Sequence, residues 1–235
     1  MRNLAIRGAV GAPATGAPRI ARLLSLVTMA VLPVEAHAQR AAAPARTVAS
    51  LDVAGVRLGM PKAQADAALA AASYRCTPFG REHTFEERVE DEVTRRRGGT
   101  VPWGQVGSGP REMNCEGPNG EALKVEWVQV RGGPIVDEFR LIVDPKRVDQ
   151  QALRSQALAK YGKPTAGTPT LGSWCDPGYE CRGGLVFSVG PILMVDASNG
   201  LDIMAGRGKR AHDADDAAVI AEATRLAPAK SNAAF

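Results

Sequence analysis

Residues 112–143 read EMNCEGPNGEALKVEWVQVRGGPIVDEFRLIV, and this stretch decides the fold class. Three β-like runs are separated by turn-forming residues. The first includes residues 112–116, and Gly117-Pro118-Asn119-Gly120 then reverses the chain. In the second, residues 122–130, Leu123, Val125 and Trp127 share one face. Gly132-Gly133-Pro134 reverses the chain again. In residues 135–143, Ile135, Phe139, Leu141 and Val143 lie on one face. Alternation punctuated by tight turns reads as an antiparallel meander. Such a sheet is apolar on one side, and that side has to be covered by helices.

Two helices are predicted upstream. Val56, Leu58 and Met60 alternate, then Pro61 opens a helix at its first position, where a missing N–H costs nothing. Ala65, Leu69 and Ala72 form its apolar face, and it ends near Ser73. The second helix starts at Thr84, which has Glu87 three residues on, a capping box. Phe85, Val89 and Val93 recur every fourth residue as a stripe. Glu86, Glu87, Glu90 and Asp91 come early and Arg95, Arg96 and Arg97 late, an order that complements the helix dipole. The same apolar residues fit a period of two, so a strand is the alternative.

Downstream, Asp149 reads as an N-cap, Leu153, Ala157 and Tyr161 as an apolar face, and Gly162 with Pro164 as a stop. Short strands are predicted at residues 171–175, 185–189, 192–197 and 201–205, with Asn199-Gly200 as the hairpin turn between the last two. The fold class is α+β. A helix pair packs on an antiparallel meander (residues 51–145), and a second helix-plus-meander unit follows (146–206). Residues 207–235 form a tail with a possible short helix after Asp215 or Asp216.

The start of the chain reads as an address. Arg2, Arg7, Arg19 and Arg22 precede an apolar run over residues 23–34, and Ala36-His37-Ala38 puts small residues at the −3 and −1 positions of a cleavage site. Residues 1–38 are therefore expected to be a secretory signal peptide. The apolar run is shorter than the ~20 residues that a transmembrane helix needs. The leader has no Cys, so no lipidation is expected. Residues 39–50, rich in Ala, Pro and Arg, read as a flexible linker. The whole chain carries a formal charge of +4, of which the leader's four Arg and one Glu supply three. The remaining balance gives no reason to expect nucleic acid as a partner.

Cys76, Cys115, Cys175 and Cys181 all lie beyond the leader. An even count in an oxidising compartment reads as two disulfides. Three pairings are open, and Cys76–Cys115 with Cys175–Cys181 is favoured because Asp176-Pro177-Gly178 turns the chain between the second pair.

Motifs that carry chemistry are weak. His83 with Glu87 is too little for a metal centre, and no cofactor fingerprint is present. Gly104, Gly107 and Gly109 are spaced in the reverse of the dinucleotide-binding order. No nucleophile elbow surrounds a Ser, and no carboxylate pair is marked out. Two features suit a binding surface. Trp103 sits in the Gly- and Pro-rich loop of residues 98–110, as an anchor or as a cover for the sheet's end. Arg95, Arg96 and Arg97 fit a solvated helix end or an anionic surface.

Val56-Arg57-Leu58-Gly59-Met60-Pro61, followed by an Ala/Leu-patterned helix, resembles the opening G-x-x-x-G-M-[S/T] of exported proteins of the BamE (SmpA/OmlA) type, with Gly55 and Gly59 as the spaced glycines. The tandem layout is similar to the β-lactamase-inhibitor protein, and Lys160-Tyr161-Gly162-Lys163-Pro164 is similar to a helix end in related exported proteins. Pro61 stands where that family has Ser or Thr, and the family's lipidated Cys has no counterpart. The resemblance implies a non-catalytic fold that presents a sheet or loops to another protein. The function expected is an exported interaction module of a bacterial-type cell envelope with a protein partner. The alternative is an envelope hydrolase working through a carboxylate pair.

Overall fold

A computed structural model describes residues 47–147, 149–167, 171–179, 181, 188–198 and 201–227. A 3-10 turn, Val48–Ser50, leads into a hairpin of β1 (Asp52–Val53) and β2 (Val56–Arg57). Helix α1 (Lys62–Ala71), strand β3 (Arg75–Glu82) and helix α2 (Phe85–Arg96) follow. Next comes the meander of β4 (Gly109–Glu116), β5 (Ala122–Val130) and β6 (Gly133–Val143). Helix α3 (Gln150–Tyr161) precedes β7 (Ala166–Gly167), β8 (Leu171–Cys175), β9 (Ile192–Asp196) and β10 (Leu201–Gly206). Helix α4 (Lys209–Leu226) is last.

The helix starts follow from their caps. Thr84 and Glu87 exchange both bonds of a capping box, at 2.8 and 3.2 Å. Asp149 Oδ1 accepts from the Gln151 and Ala152 amides at 2.7 and 3.2 Å.

The α+β class is as the sequence implies, but the two meanders share one sheet. Eight strands run in the order β3-β4-β5-β6-β10-β9-β8-β7, every neighbour antiparallel. The halves join where β10 pairs with β6, from Leu201 opposite Val143 to Gly206 opposite Glu138. Beyond that point residues 59–61 take over the edge of β6. The Gly59 amide donates to Val136 O at 2.8 Å, and the Val136 amide to Met60 O at 2.9 Å. Between the two partners β6 bulges: Trp127 faces Val136 and Glu126 faces Glu138, which leaves Asp137 as the extra residue.

One face of the sheet holds the main core. Val125, Phe139, Leu193 and Ala205 are at most 1% exposed. They join one apolar cluster with Ala65 and Leu69 of α1, Ala157 and Tyr161 of α3, and Val48, Val53 and Val56 of the entering segment. A second small core joins Phe85 and Val89 of α2 to Val219 and Ala223 of α4. No helix among the described residues is long and apolar enough to cross a membrane.

Several expectations change. Strand β3 was not foreseen; it lies on the sheet's edge with most of its side chains exposed, so it has no alternation to read. The possible short helix in the tail is an 18-residue helix that starts at Lys209 and buries Val219 and Ala223. The linker expected over residues 39–50 ends sooner, because Val48 is 3% exposed and belongs to the core. Both favoured disulfides are present, Cys76–Cys115 between register neighbours on β3 and β4, and Cys175–Cys181 at a sequence separation of 6. The expected signal peptide, most of the strand expected at 185–189 and the hairpin turn expected at Asn199-Gly200 fall outside the described residues.

Candidate functional site

Side chains alternate across a pleated strand, so the face opposite α1 and α3 carries the other half of each strand. Strand register sets three rows there. Arg75, Glu116, Ala122, Ile142, Asp202 and Asp196 form the first, and Thr77, Asn114, Lys124, Arg140, Met204 and Met194 the second. Phe79, Glu112, Glu126 and Glu138 form the third. Phe79 is 64% exposed and Ile142 46%, unusual for large apolar side chains on a sheet.

Charge on this face is organised but unbalanced. Arg75 pairs with Glu116 at 3.2 Å, and Lys124 bridges Glu112 and Glu126 at 2.9 and 2.8 Å. Arg140 Nε lies 3.0 Å from both carboxylate oxygens of Asp202. These three bases meet six acids on the rows, and the Glu138 carboxylate has no hydrogen bond or ion pair among the described residues. Lys124 holds the Glu112 carboxyl below its ordinary range. Burial, then the Glu126 and Asp137 charges, hold the Glu138 carboxyl above it. Glu126 and Glu138 line a small pocket of about 170 Å³ with Lys124, Arg140 and Met204.

The α2–α4 pair packs at the end of the sheet where β3 finishes and β5 turns into β6. Arg131, in that turn, reaches Glu222 at 2.7 Å and lies 5.4 Å from the Phe85 ring centre. Arg88 pairs with Asp216 across the helices. The bulge residue Asp137, 9% exposed, meets His212 Nε2 at 2.9 Å, and Arg207 pairs with Asp215 at 2.9 Å.

The loop between α2 and β4 is fastened to the start of α2. His83 Nδ1 faces the Asp91 carboxylate at 3.0 Å and its Nε2 faces the Gln105 carbonyl at 3.1 Å. These two acceptors, the Gln105 carbonyl first, hold the imidazole above its ordinary range. The Ser108 amide donates to the Glu87 carboxylate at 3.1 and 3.2 Å. Gly107 is required here, since a Cβ would stand 2.0 Å from the Glu82 carbonyl carbon.

Trp103, in this loop, is fully exposed at 101% and does not cover the sheet's end. Arg95 and Arg96 are both paired with Glu92, the latter at 3.1 Å, and Arg97 is the exposed C-cap of α2. The four candidates thus occupy one segment, the last turn of α2 and the loop it feeds. Sequence reasoning missed Phe79, Glu126 and Glu138. Phe79 lies on the unread edge strand. The Glu126–Glu138 register is hidden by the bulge, which shifts the count from the turn by one. Among the described residues, no group of three or more His, Cys, Asp or Glu side chains is placed to hold a metal ion.

Comparison with protein-family models, curated proteins and solved structures finds no match to this chain.

Proposed function

We propose that the chain is exported by its leader, released after Ala38 without lipidation, and acts as a non-catalytic module that binds another exported protein in a bacterial-type cell envelope. The observation that carries this reading is the open face of the sheet, where an excess of carboxylates surrounds exposed Phe79 and Ile142. Such a face complements a protein surface that offers Lys or Arg beside an apolar patch. Trp103, fully exposed on a fastened loop, suits a second contact, since Trp is favoured at binding hot spots. Two disulfides suit an oxidising compartment.

The test is affinity capture from envelope extract with immobilised residues 39–235. Wild type is compared with Phe79→Ser, Glu138→Lys and Trp103→Ala, each checked for an unchanged melting temperature. A partner held by wild type and lost from Phe79→Ser and Glu138→Lys supports the reading. Equal retention by all four proteins sinks it. Intact mass of the exported form tests the leader: an acyl group, or retention of residues 1–38, contradicts that part.

One observation favours a second reading, a hydrolase of cell-wall glycosidic bonds. Glu126 and Glu138 are direct cross-strand neighbours, and Glu138 is the carboxyl that burial keeps protonated longer. Glu138→Gln would then lower hydrolysis by about 10² or more, while capture of a protein partner would be unaffected by Phe79→Ser.

A further inference from the structure

On the opposite face of the sheet, α3 does not close down fully on the strands beneath it. A cavity of about 480 Å³ remains between α3, the β1–β2 hairpin and strands β6 and β10. Its floor is apolar: Leu141, Val143, Leu201 and Ile203 come from the strands, and Leu153 and Tyr161 from α3. Volume and lining both fall in the range of sites that enclose small ligands, about 300–1,000 Å³ with a mainly apolar wall and a few convergent polar groups.

The polar groups at the rim set the sign of the ligand. Glu121 has both carboxylate oxygens engaged, by the Tyr74 hydroxyl at 3.1 Å and the Asn119 amide at 3.0 Å. Lys160 is paired with Asp52 at 2.9 Å. Arg147 donates from Nη1 to Asn119 O at 2.9 Å and has no carboxylate partner among the described residues. A guanidinium carries five N–H donors, so most of those on Arg147 are left for an acceptor. A planar fork of donors beside an apolar trough fits a carboxylate on an apolar tail, which the fork can grip with two bonds.

We propose that this cavity binds a single-chain amphiphile with a carboxylate head, the tail lying between α3 and the sheet and the head at Arg147. The site is independent of the docking face, which lies on the other side of the sheet, so either proposal can fail alone.

Titration calorimetry with dodecanoate, below its micelle concentration, tests the site on the purified chain. The expected result is one saturable site per chain and no comparable binding of dodecyltrimethylammonium. Arg147→Gln removes the fork and should weaken dodecanoate at least tenfold. Gln156→Glu adds a negative charge on the exposed side of the α3 wall, where folding is not at risk, and should weaken it similarly. No saturable binding, equal affinity for the cationic amphiphile, or unchanged affinity in both variants would overturn the proposal. So would sedimentation showing a dimer that Gln156→Glu dissociates, because a second copy would then be the occupant.

Discussion

Glu82 ends β3 with its Oε1 atom buried and without a hydrogen-bond partner. Burial, the largest cause, holds its carboxyl above the ordinary range despite Gln129, Arg111 and Arg88 nearby. An acid with a raised folded pKa adds stability below its unfolded value and loses it as pH rises through the folded value. Glu82→Gln should therefore stabilise the protein by about 1 kcal/mol at pH 7. The gain should vanish near pH 4, where the wild-type carboxyl is protonated. Thermal melts of both proteins at the two pH values check this, and a gain that is larger at pH 4 would contradict it. Trp103 is the opposite case. A side chain wholly in solvent has no packing to lose, so Trp103→Ala should change stability by less than about 0.5 kcal/mol. A loss of several kcal/mol in a denaturant titration would mean that the ring covers the core.

At the scale of elements, α2 tests how far local sequence dictates structure. Its capping box was legible from Thr84 and Glu87 alone, and both reciprocal bonds are formed. Thr84→Ala should cost about 1 kcal/mol, read from the urea midpoint. What the stripe of Phe85, Val89 and Val93 packs against was not legible. Its partner is α4, whose small buried set, Val219 and Ala223, is too sparse to announce a long helix. The same limit hid β3, where an edge position removes the alternation that revealed β4, β5 and β6. The cavity under α3 was beyond sequence reading for another reason, since its lining comes from six separate segments. The loop of Trp103 was legible as a loop, but its fastening was not. Because Asp91 and Gln105 both offer acceptors to His83, only the imidazolium can satisfy the two at once. Its raised pKa means that the fastening is complete in acid and is lost as pH rises through the folded value. Glu87, Arg88, Glu92, Arg95 and Asp216 also border this ring or its pocket, and all but Asp216 belong to α2. The anisotropy of tryptophan fluorescence, to which Trp103 contributes the exposed ring while Trp127 and Trp174 are buried, should fall as pH rises through the folded value of His83, and His83→Phe should abolish that change. A pH-independent wild type would show that the loop is held by Glu87 and Ser108 alone.

For the whole molecule, the two disulfides should contribute unequally. Cys76–Cys115, at a sequence separation of 39, closes a long loop and ties the edge strand β3 to β4, while Cys175–Cys181 closes a short one at a separation of 6. Chain entropy puts their removal at about 4 and about 2 kcal/mol respectively. Denaturant titration of the two double Cys→Ala variants tests that order, and a reversed order would show that native packing, not loop closure, governs the loss. The seam between β6 and β10 has a different consequence, one of time. As the chain emerges from synthesis, β6 is complete while its neighbour is still unmade. Until β10 arrives, the middle of the future sheet is an open row of amides and carbonyls that any other strand can pair with. Pairing across so much intervening chain is also slow. Success in folding is thus a race between an intramolecular closure and a bimolecular accident. Refolding yield should fall steeply with protein concentration, while the rate of the productive phase stays constant.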